Sequence, residues 1–282
     1  MKAGWLLLAG WLGVAMPAEA APPQLSVEGA DLALTVGTLG GALLLGLLPT
    51  EPAAPWETEP FPGDEGFRGT YNPRFDARSD LLLAVGLVAP LISQSALGTE
   101  GDGARALALY GETLGLSALL NGALKVVVNR PRPYAYATTP EATAVGSKAG
   151  SDRTRSFYSG HSAMSFAAAV SGSLLVSLRT SDRPTRAANW GLSLALASST
   201  AVLRVRAGKH FPSDVIIGAL LGSTAGALVP LLHRAEGSSF ELHPEEVVAA
   251  ASGTLLGVLV AILWPDDPPP VALGPGIIEG QF

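Results

Sequence analysis

The 282-residue chain carries 24 acidic residues against 18 basic ones, a formal net charge of -6, and it contains no cysteine. The acidic balance excludes a basic face for nucleic acid, and the missing cysteines exclude disulfides, thiolate metal sites and cysteine nucleophiles. A hydrophobic fraction of 48%, a charged fraction of 15% and a mean hydropathy of +0.34 favour a membrane protein or a very apolar helical domain.

The first 20 residues have the pattern of an export signal. Lys2 supplies a positive start, residues 4–16 form a short apolar run, and Ala18-Glu19-Ala20 forms a cleavage site of mostly small residues. Retention of the run as a membrane anchor is the alternative. Residues 21–79 form an N-terminal region with an apolar segment at 32–48 and an acidic, proline-rich loop from 49 to 79.

Apolar runs of helical length follow along the rest of the chain. No stretch alternates with period two, so the sequence predicts an all-α protein: a transmembrane bundle of about six core helices with its active site at one end. Residues 80–234 form the predicted core, 235–264 a linker and an extra helix, and 265–282 a proline-rich tail. After the first segment, the predicted helices are 81–97, 104–128, 162–178, 187–202, 215–232 and 247–264.

Gly218, Gly222 and Gly226 recur every four residues in the last core helix, which places small residues on one face and predicts close helix packing. A dinucleotide-binding fingerprint is the other interpretation of these glycines. It is disfavoured because no predicted strand precedes them.

The predicted topology leaves three alternatives. The arginine-rich link 179–186 favours a cytoplasmic position, and the acidic 49–79 loop favours an external one. A cleaved signal followed by a spanning first segment would instead place that loop inside. Either the first segment does not cross, or the N-terminus stays in the cytoplasm, or the mature protein is a soluble periplasmic bundle.

Three polar clusters fall where predicted helices begin or end. A cation in the middle of a bilayer costs about 2.5 to 3.5 kcal/mol, so Arg204, Arg206 and Lys209 are expected at a water-facing edge or paired with anions. By the order of the segments, all three clusters lie at one end of the bundle and can converge. The clusters are Lys125 with Arg132; Ser159, Gly160 and His161; and Arg204, His210 and Asp214.

Together the clusters offer a site for a tetrahedral dianion. Arg132 and Arg204 can each present two donors, and Lys125 adds a point charge. Ser159 and Gly160 at a helix start supply a hydroxyl and free backbone N–H groups. Each charge-assisted hydrogen bond contributes about 1.5 to 3 kcal/mol, so a few of them can hold a phosphoryl group.

The motifs Lys125-x6-Arg132-Pro133, Ser159-Gly160-His161 and Arg204-x5-His210-x3-Asp214 resemble the three-part signature of the type 2 phosphatidic acid phosphatase and vanadium haloperoxidase superfamily. The resemblance covers about residues 80–232. It implies that His210 attacks phosphorus and forms a phosphohistidine, that Asp214 orients it, and that His161 protonates the leaving oxygen and later activates water. It also implies no metal or other cofactor, and a phosphate-binding set of Lys125, Arg132, Ser159, Gly160 and Arg204.

Two positions depart from the family pattern, since Tyr158 stands where a proline is usual and Leu203 where a small residue is usual. Neither position is catalytic, so the departures concern the entrance of the site. A metal site of His161, His210 and Asp214 is the alternative interpretation, and the surrounding cations disfavour it.

Other polar residues receive plainer interpretations. Glu112 and Asn121 are expected to pair within the bundle, and His233 and His243 to lie at the surface. Arg153 and Arg155 either meet an anionic substrate or solvate a loop. Secondary roles are expected for three further cations, Arg130, Arg206 and Lys209.

The leading hypothesis is a phosphatase acting on a phosphomonoester or pyrophosphate of a lipid, set in the inner membrane with its site facing the periplasm. Its expected partners are a phosphorylated lipid substrate and membrane lipids, with no nucleic acid; the oligomeric state is left open. The alternatives are a soluble periplasmic acid phosphatase, a lipid phosphotransferase, a vanadate-dependent haloperoxidase and a non-enzymatic membrane protein.

Overall fold

A computed structural model describes residues 25–48, 61–97, 102–136, 140–236, 238 and 240–266. The predicted signal peptide, residues 49–60 of the acidic loop and the tail from residue 267 lie outside the described residues. In the described part the protein is all-α, as predicted. Its helices are α1 Gly29–Leu47, α2 Pro73–Ala96, α3 Asp102–Val128, α4 Pro140–Lys148, α5 Gly160–Arg179, α6 Arg183–Arg206, α7 Pro212–Leu232 and α8 Pro244–Leu263.

The seven long helices match the seven apolar segments, and α5 lies at the centre of the bundle. It packs against α2, α3, α6 and α7. Small side chains such as Ala163, Ala167 and Ala168 are fully buried along it. Because they bring neighbouring helices close, the core rests on close helix packing as well as on large apolar side chains.

Two predicted loops contain helix. In the 49–79 loop, α2 begins at Pro73, eight residues before the predicted segment, because Asn72 caps it through its side-chain oxygen and proline suits the first turn. Charged side chains lower the hydropathy of this first part, so the pattern of apolar residues does not predict it as helix. The 134–157 stretch contains α4 and a short 3-10 helix at Gly150–Thr154.

The glycine stripe of α7 packs directly on α5, as predicted. A Cβ atom at Gly218 would lie 2.7 Å from the Ser159 carbonyl oxygen, and one at Gly226 would lie 2.8 Å from that of Ala167. At Gly222, a Cβ would meet the backbone of Ala163 at a still shorter distance. The glycines therefore set the distance between the two helices that carry the second and third motifs.

We expect Gly222→Ala to destabilise the protein by about 1 to 3 kcal/mol, because the added methyl group meets backbone that cannot rotate away. Thermal unfolding in detergent measures the effect. Gly86→Ala is the matched control, since a Cβ atom there has no neighbour within 4 Å. Equal melting temperatures for the two variants would contradict the role of the stripe.

The direction of α1 removes the alternative in which the first segment does not cross the membrane while the rest of the bundle does. Thr35 lies beside Gly111 and Leu45 beside Gly122, so α1 and α3 run side by side in the same direction. At the end of α1, Arg155 donates to the Gly46 carbonyl oxygen at 3.0 Å. Because α1 shares the direction and depth of α3, it spans whenever α3 spans.

The surface of the bundle is apolar in the manner of a membrane protein. Six helices, α1, α2, α3, α5, α7 and α8, are long and apolar enough to cross a membrane. Large apolar side chains face outwards, with Val36 72% and Leu263 76% exposed. Water would penalise these side chains, whereas lipid does not.

Candidate active site

The three motifs meet at the end of the bundle where α3 and α6 end and where α5 and α7 begin. Gly208 makes the turn between α6 and α7 with a φ of 69°, and a side chain there would collide with the Thr70 carbonyl oxygen. Its own carbonyl oxygen accepts from the Tyr134 backbone N–H at 3.3 Å. The residues after α3 and those before α2 are thereby fixed around the loop that carries His210.

His210 is 1% exposed, and its two ring nitrogens have different surroundings. Nε2 lies 3.1 Å from Nη1 of Arg132. Because a guanidinium can only donate, the lone pair of Nε2 accepts this hydrogen bond and Nδ1 carries the proton. Nδ1 has no hydrogen-bond partner within the described residues and lies 3.7 Å from Oδ2 of Asp214.

The charge state of His210 follows from these surroundings. Burial, together with the neighbouring cations Arg132, Arg204 and Lys125, lowers the pKa of His210 well below its usual range. The imidazole is therefore neutral at neutral pH. A neutral imidazole with a fixed lone pair is the form required of a nucleophile.

Asp214 is completely buried and is held by several donors. Its Oδ2 accepts from the Ser156 hydroxyl at 2.6 Å and from the Phe211 backbone N–H at 3.0 Å. Its Oδ1 accepts from Arg130 at 2.8 Å. The carboxylate is thus fixed beside the protonated nitrogen of His210, and a small approach would bring the two into hydrogen-bond contact.

Arg130 has a larger part in the site than the secondary role expected from the sequence. Its side chain is 0% exposed and pairs with Asp214 and, at 2.9 Å, with Asp64. The guanidinium also lies 4.1 Å from the ring centroid of Phe211, in cation–π contact. Arg130 therefore holds the start of α7 against the short 3-10 helix at Asp64–Phe67.

Arg132 contacts both His210 and the loop that carries it. Besides His210, its Nη1 donates to the Lys209 carbonyl oxygen at 3.0 Å, and its Nη2 donates to Oδ1 of Asp152 at 2.7 Å. Burial opposes ionisation of Asp152, but Arg132 and Lys125 outweigh it and lower the pKa of Asp152. Asp152 is therefore ionised, and it occupies the Nε–Nη2 edge of the Arg132 guanidinium.

Arg204 is buried and paired with the start of α2. Its Nη1 donates to Asp76 at 2.6 Å and to the Ser79 hydroxyl at 3.0 Å, and lies 3.4 Å from Asp80. Its Nε has no partner within the described residues. Lys209 also pairs with Asp76, at 3.1 Å. The expectation that Arg204 and Lys209 either lie at a water-facing edge or are paired with an anion is thus met by pairing.

His161 lies at the open side of the site. Its side chain is 26% exposed, and its Nε2 lies 2.7 Å from Oδ1 of Asp80, whose own side chain is 60% exposed. Because Asp80 contacts both His161 and Arg204, it lies where an incoming anion would meet these two groups. A substrate phosphate would therefore have to displace this exposed carboxylate.

The start of α5 brings the remaining predicted residues together. Ser159 caps the helix by accepting the Ser162 backbone N–H at 3.3 Å, and its own N–H donates to the Asp214 carbonyl oxygen at 3.0 Å. A Cβ atom at Gly160 would lie 3.5 Å from Nζ of Lys125. Lys125 therefore lies beside the first turn of α5, and the missing side chain makes room for Oδ1 of Asn121, which a Cβ atom would meet at 2.7 Å.

All eight predicted site residues lie at this end of the bundle. Sequence reasoning missed a set of polar residues that hold them there. No motif marks these partners, because most lie on loops or at a helix start without periodicity; the aspartates that fall outside the predicted apolar segments were the signal available. The missed partners are Asp64, Asp76, Ser79, Asp80, Asp152 and Ser156.

The structure confirms the prediction for Asn121 and contradicts the one for His233. Asn121 pairs within the bundle as expected, donating to the Tyr158 carbonyl oxygen at 2.8 Å. The surface prediction for His233 is wrong, since its side chain is only 22% exposed and hydrogen-bonds to Val229. It lies at the opposite end of the bundle, where α7 ends.

Comparison with known protein families gives one match. The model of the PAP2 superfamily matches residues 106–238 of this chain, which include all three motifs. No match was found among curated proteins or among solved structures. The match confirms the resemblance inferred from the motifs and indicates a phosphatase-type enzyme.

Proposed function

With residues 106–238 identified as a PAP2 superfamily region, we propose that the protein is a metal-independent phosphatase that hydrolyses a phosphomonoester or pyrophosphate of a lipid. The observation that carries the proposal is the buried, neutral His210, whose Nε2 lone pair faces the Arg132 guanidinium. A nucleophile beside cations suits an electrophile that carries negative charge, as a phosphoryl group does.

The proposed reaction has two steps. Nε2 of His210 attacks phosphorus, the bond to the leaving oxygen breaks, and His161 gives its proton to that oxygen. His161 then takes a proton from water, whose oxygen attacks phosphorus as the phosphorus–nitrogen bond breaks and phosphate leaves. Asp214 stabilises the positive charge that His210 gains in the first step.

The cations supply the electrostatic part of the proposed mechanism. Lys125, Arg132 and Arg204 come from α3, the segment after it and α6, and the first turn of α5 adds Ser159 and Gly160. Groups fixed in this way before the substrate arrives stabilise developing charge without reorganisation. Asp80 would turn outwards as phosphate takes its place beside His161 and Arg204.

A lipid substrate is supported by an apolar groove near the site. It has a volume of about 530 Å³, lies between α6, α7 and α8, and has Phe67, Arg206 and Pro212 at the end nearest His210. An acyl chain could lie in this groove with its headgroup at the site. The apolar outer surface of the bundle supports the same conclusion.

The proposed orientation places the site on the periplasmic side of the inner membrane. Arg179, Arg183 and Arg186 lie at the opposite end of the bundle, where α5 ends and α6 begins. Since arginines concentrate in cytoplasmic loops, the end that carries His210 would face outwards.

A phosphate-release screen with chelator present tests the proposed function. Long-chain phosphatidate, phosphatidylglycerol phosphate, undecaprenyl pyrophosphate and lipid A are compared with a short-chain phosphatidate. We expect kcat/KM to be at least tenfold higher for one of the long-chain lipids, because chain burial adds about 0.8 kcal/mol per methylene group. Equal rates for short and long chains would favour a soluble-type phosphatase, and radiolabel passing to lipid would indicate a phosphotransferase.

The loss of activity on removing His161 is expected to depend on the leaving group of the substrate. For His161→Ala we expect a loss of about 100- to 10,000-fold in phosphate release from an alkyl phosphate, because its leaving oxygen needs a proton. With p-nitrophenyl phosphate as substrate, the rate of the first step should fall less. The phosphoenzyme should then accumulate as acid-labile radiolabel on the protein. Equal losses for both substrates without any label would contradict the acid–base role of His161.

A further inference from the structure

A second cluster of titratable side chains lies at the end of the bundle opposite His210. It joins Asp31 at the start of α1, Glu112 in α3 and His233 just after α7. One ligand atom from each residue lies within 4.8 Å of the other two. The proposed phosphatase chemistry uses none of these residues.

The ring nitrogens of His233 face a carbonyl oxygen and a carboxylate oxygen. Its Nδ1 lies 2.8 Å from the Val229 carbonyl oxygen, which can only accept, so Nδ1 carries a proton. Its Nε2 lies 3.3 Å from Oδ1 of Asp31. In the neutral ring Nε2 is a lone pair facing a carboxylate oxygen, so either a proton or a metal cation must lie between the two acceptors.

The two carboxylates are also arranged as ligands. Oδ2 of Asp31 accepts from the Glu28 backbone N–H at 2.6 Å, which fixes the carboxylate and turns Oδ1 towards His233. Glu112 is 3% exposed, and its Oε2 has no hydrogen-bond partner within the described residues. A buried carboxylate oxygen without a partner is costly unless a cation binds it.

We propose that Asp31, Glu112 and His233 bind a divalent transition-metal ion, with Zn²⁺ as the probe. Carboxylate oxygen and neutral imidazole nitrogen are both ligands that zinc binds in proteins. Two carboxylates also neutralise a divalent charge, which suits an apolar bundle. Hydrogen bonds from the ligands to backbone groups, as at Val229 and Glu28, are the usual outer support of such sites.

The cluster needs only a small movement to bind the ion. With metal–ligand bonds of about 2.1 Å, tetrahedral ligand atoms lie roughly 3.4 Å apart. The present separations of up to 4.8 Å would close by about 1 Å through rotation of side chains. A fourth ligand position is left for water or a further group.

The consequence is structural, because the ion would tie α1 to the rest of the bundle. Thr38 is the one buried residue of α1. Near its start, the Ser26 backbone N–H donates to the His233 carbonyl oxygen at 2.8 Å. A metal bridge between α1, α3 and the end of α7 would fix the start of the first helix, in addition to the packing of α1 along α3.

The experiment uses the full chain, purified in detergent without a histidine tag, dialysed against Zn²⁺ and then against buffer. Elemental analysis should find about one zinc per chain in the wild type and at least a fivefold loss in Glu112→Gln and in His233→Gln. Glu245→Gln is the matched control, because that carboxylate lies at the same end of the bundle on the surface. Chelator should lower the melting temperature of the wild type by about 5 °C and leave that of Glu112→Gln unchanged.

Zinc content near zero in the wild type, or equal in wild type and both variants, would overturn the proposal and leave an ion pair between Asp31 and protonated His233. If Glu112→Gln does not fold, the wild-type zinc content and His233→Gln decide the outcome. Phosphate release at 25 °C should be insensitive to chelator. Failure of the metal site is therefore distinguishable from failure of the phosphatase proposal.

Discussion

His210→Ala is expected to abolish phosphate release, with kcat/KM falling by about 10,000-fold or more. Removal of a nucleophile whose base and cations act as one unit forfeits nearly the whole chemical step. The buried Nε2 of His210 has no substitute nearby, because the histidine at position 161 faces Asp80 at the open side of the site. The measurement is steady-state phosphate release with chelator present.

Two controls make the His210 result specific. His243→Ala removes an imidazole at the opposite end of the bundle, at the start of α8, and should keep full activity. Radiolabel that accumulates on the His161→Ala protein should disappear when His210→Ala is added. Label that persists in the double variant would show that another residue is the nucleophile.

Arg130→Met is expected to destabilise the protein by about 3 to 5 kcal/mol. The guanidinium pairs with two carboxylates that are almost fully buried, those of Asp64 and Asp214. Removing the cation leaves two negative charges close together without compensation, which costs more than the lost attraction alone. Thermal or chemical unfolding in detergent measures this effect.

Arg105→Met is the matched control for this prediction. Arg105 pairs with Asp102 within one turn of α3, and its side chain is 41% exposed, so its loss should cost at most about 1 kcal/mol. Adding Asp64→Asn to Arg130→Met should restore part of the stability by removing one unpaired charge. If Arg130→Met and Arg105→Met unfold alike, the buried ion-pair network does not stabilise the fold.

The sequence alone predicted the seven long helices and the eight motif residues that meet at one end of the bundle. Apolar runs of helical length suffice to predict helices because an apolar helix is stable wherever its surroundings are apolar. The motif residues were predictable because the three motifs resemble a family signature of fixed residue types and spacing. His161, His210 and the cations therefore appear together in the structure without any knowledge of how α3, α5 and α6 pack.

The tertiary structure determines which carboxylates pair with these cations. Asp64, Asp76 and Asp152 belong to segments with no helical or strand period or to a charged helix start, so their pairing with Arg130, Arg204 and Arg132 depends on where those segments lie. The same reason explains why Arg130 was assigned a secondary role. Burial and two ion pairs are properties of the packed bundle.

Two further features arise only from packing. The parallel course of α1 and α3 depends on contacts such as Thr38 against Gly115, and hydropathy carries no information about direction. The cluster of Asp31, Glu112 and His233 brings together positions far apart in the chain. The sequence determines which segments become helices and which side chains can bind phosphate, because those depend on local chemistry; long-range packing determines what lies beside them.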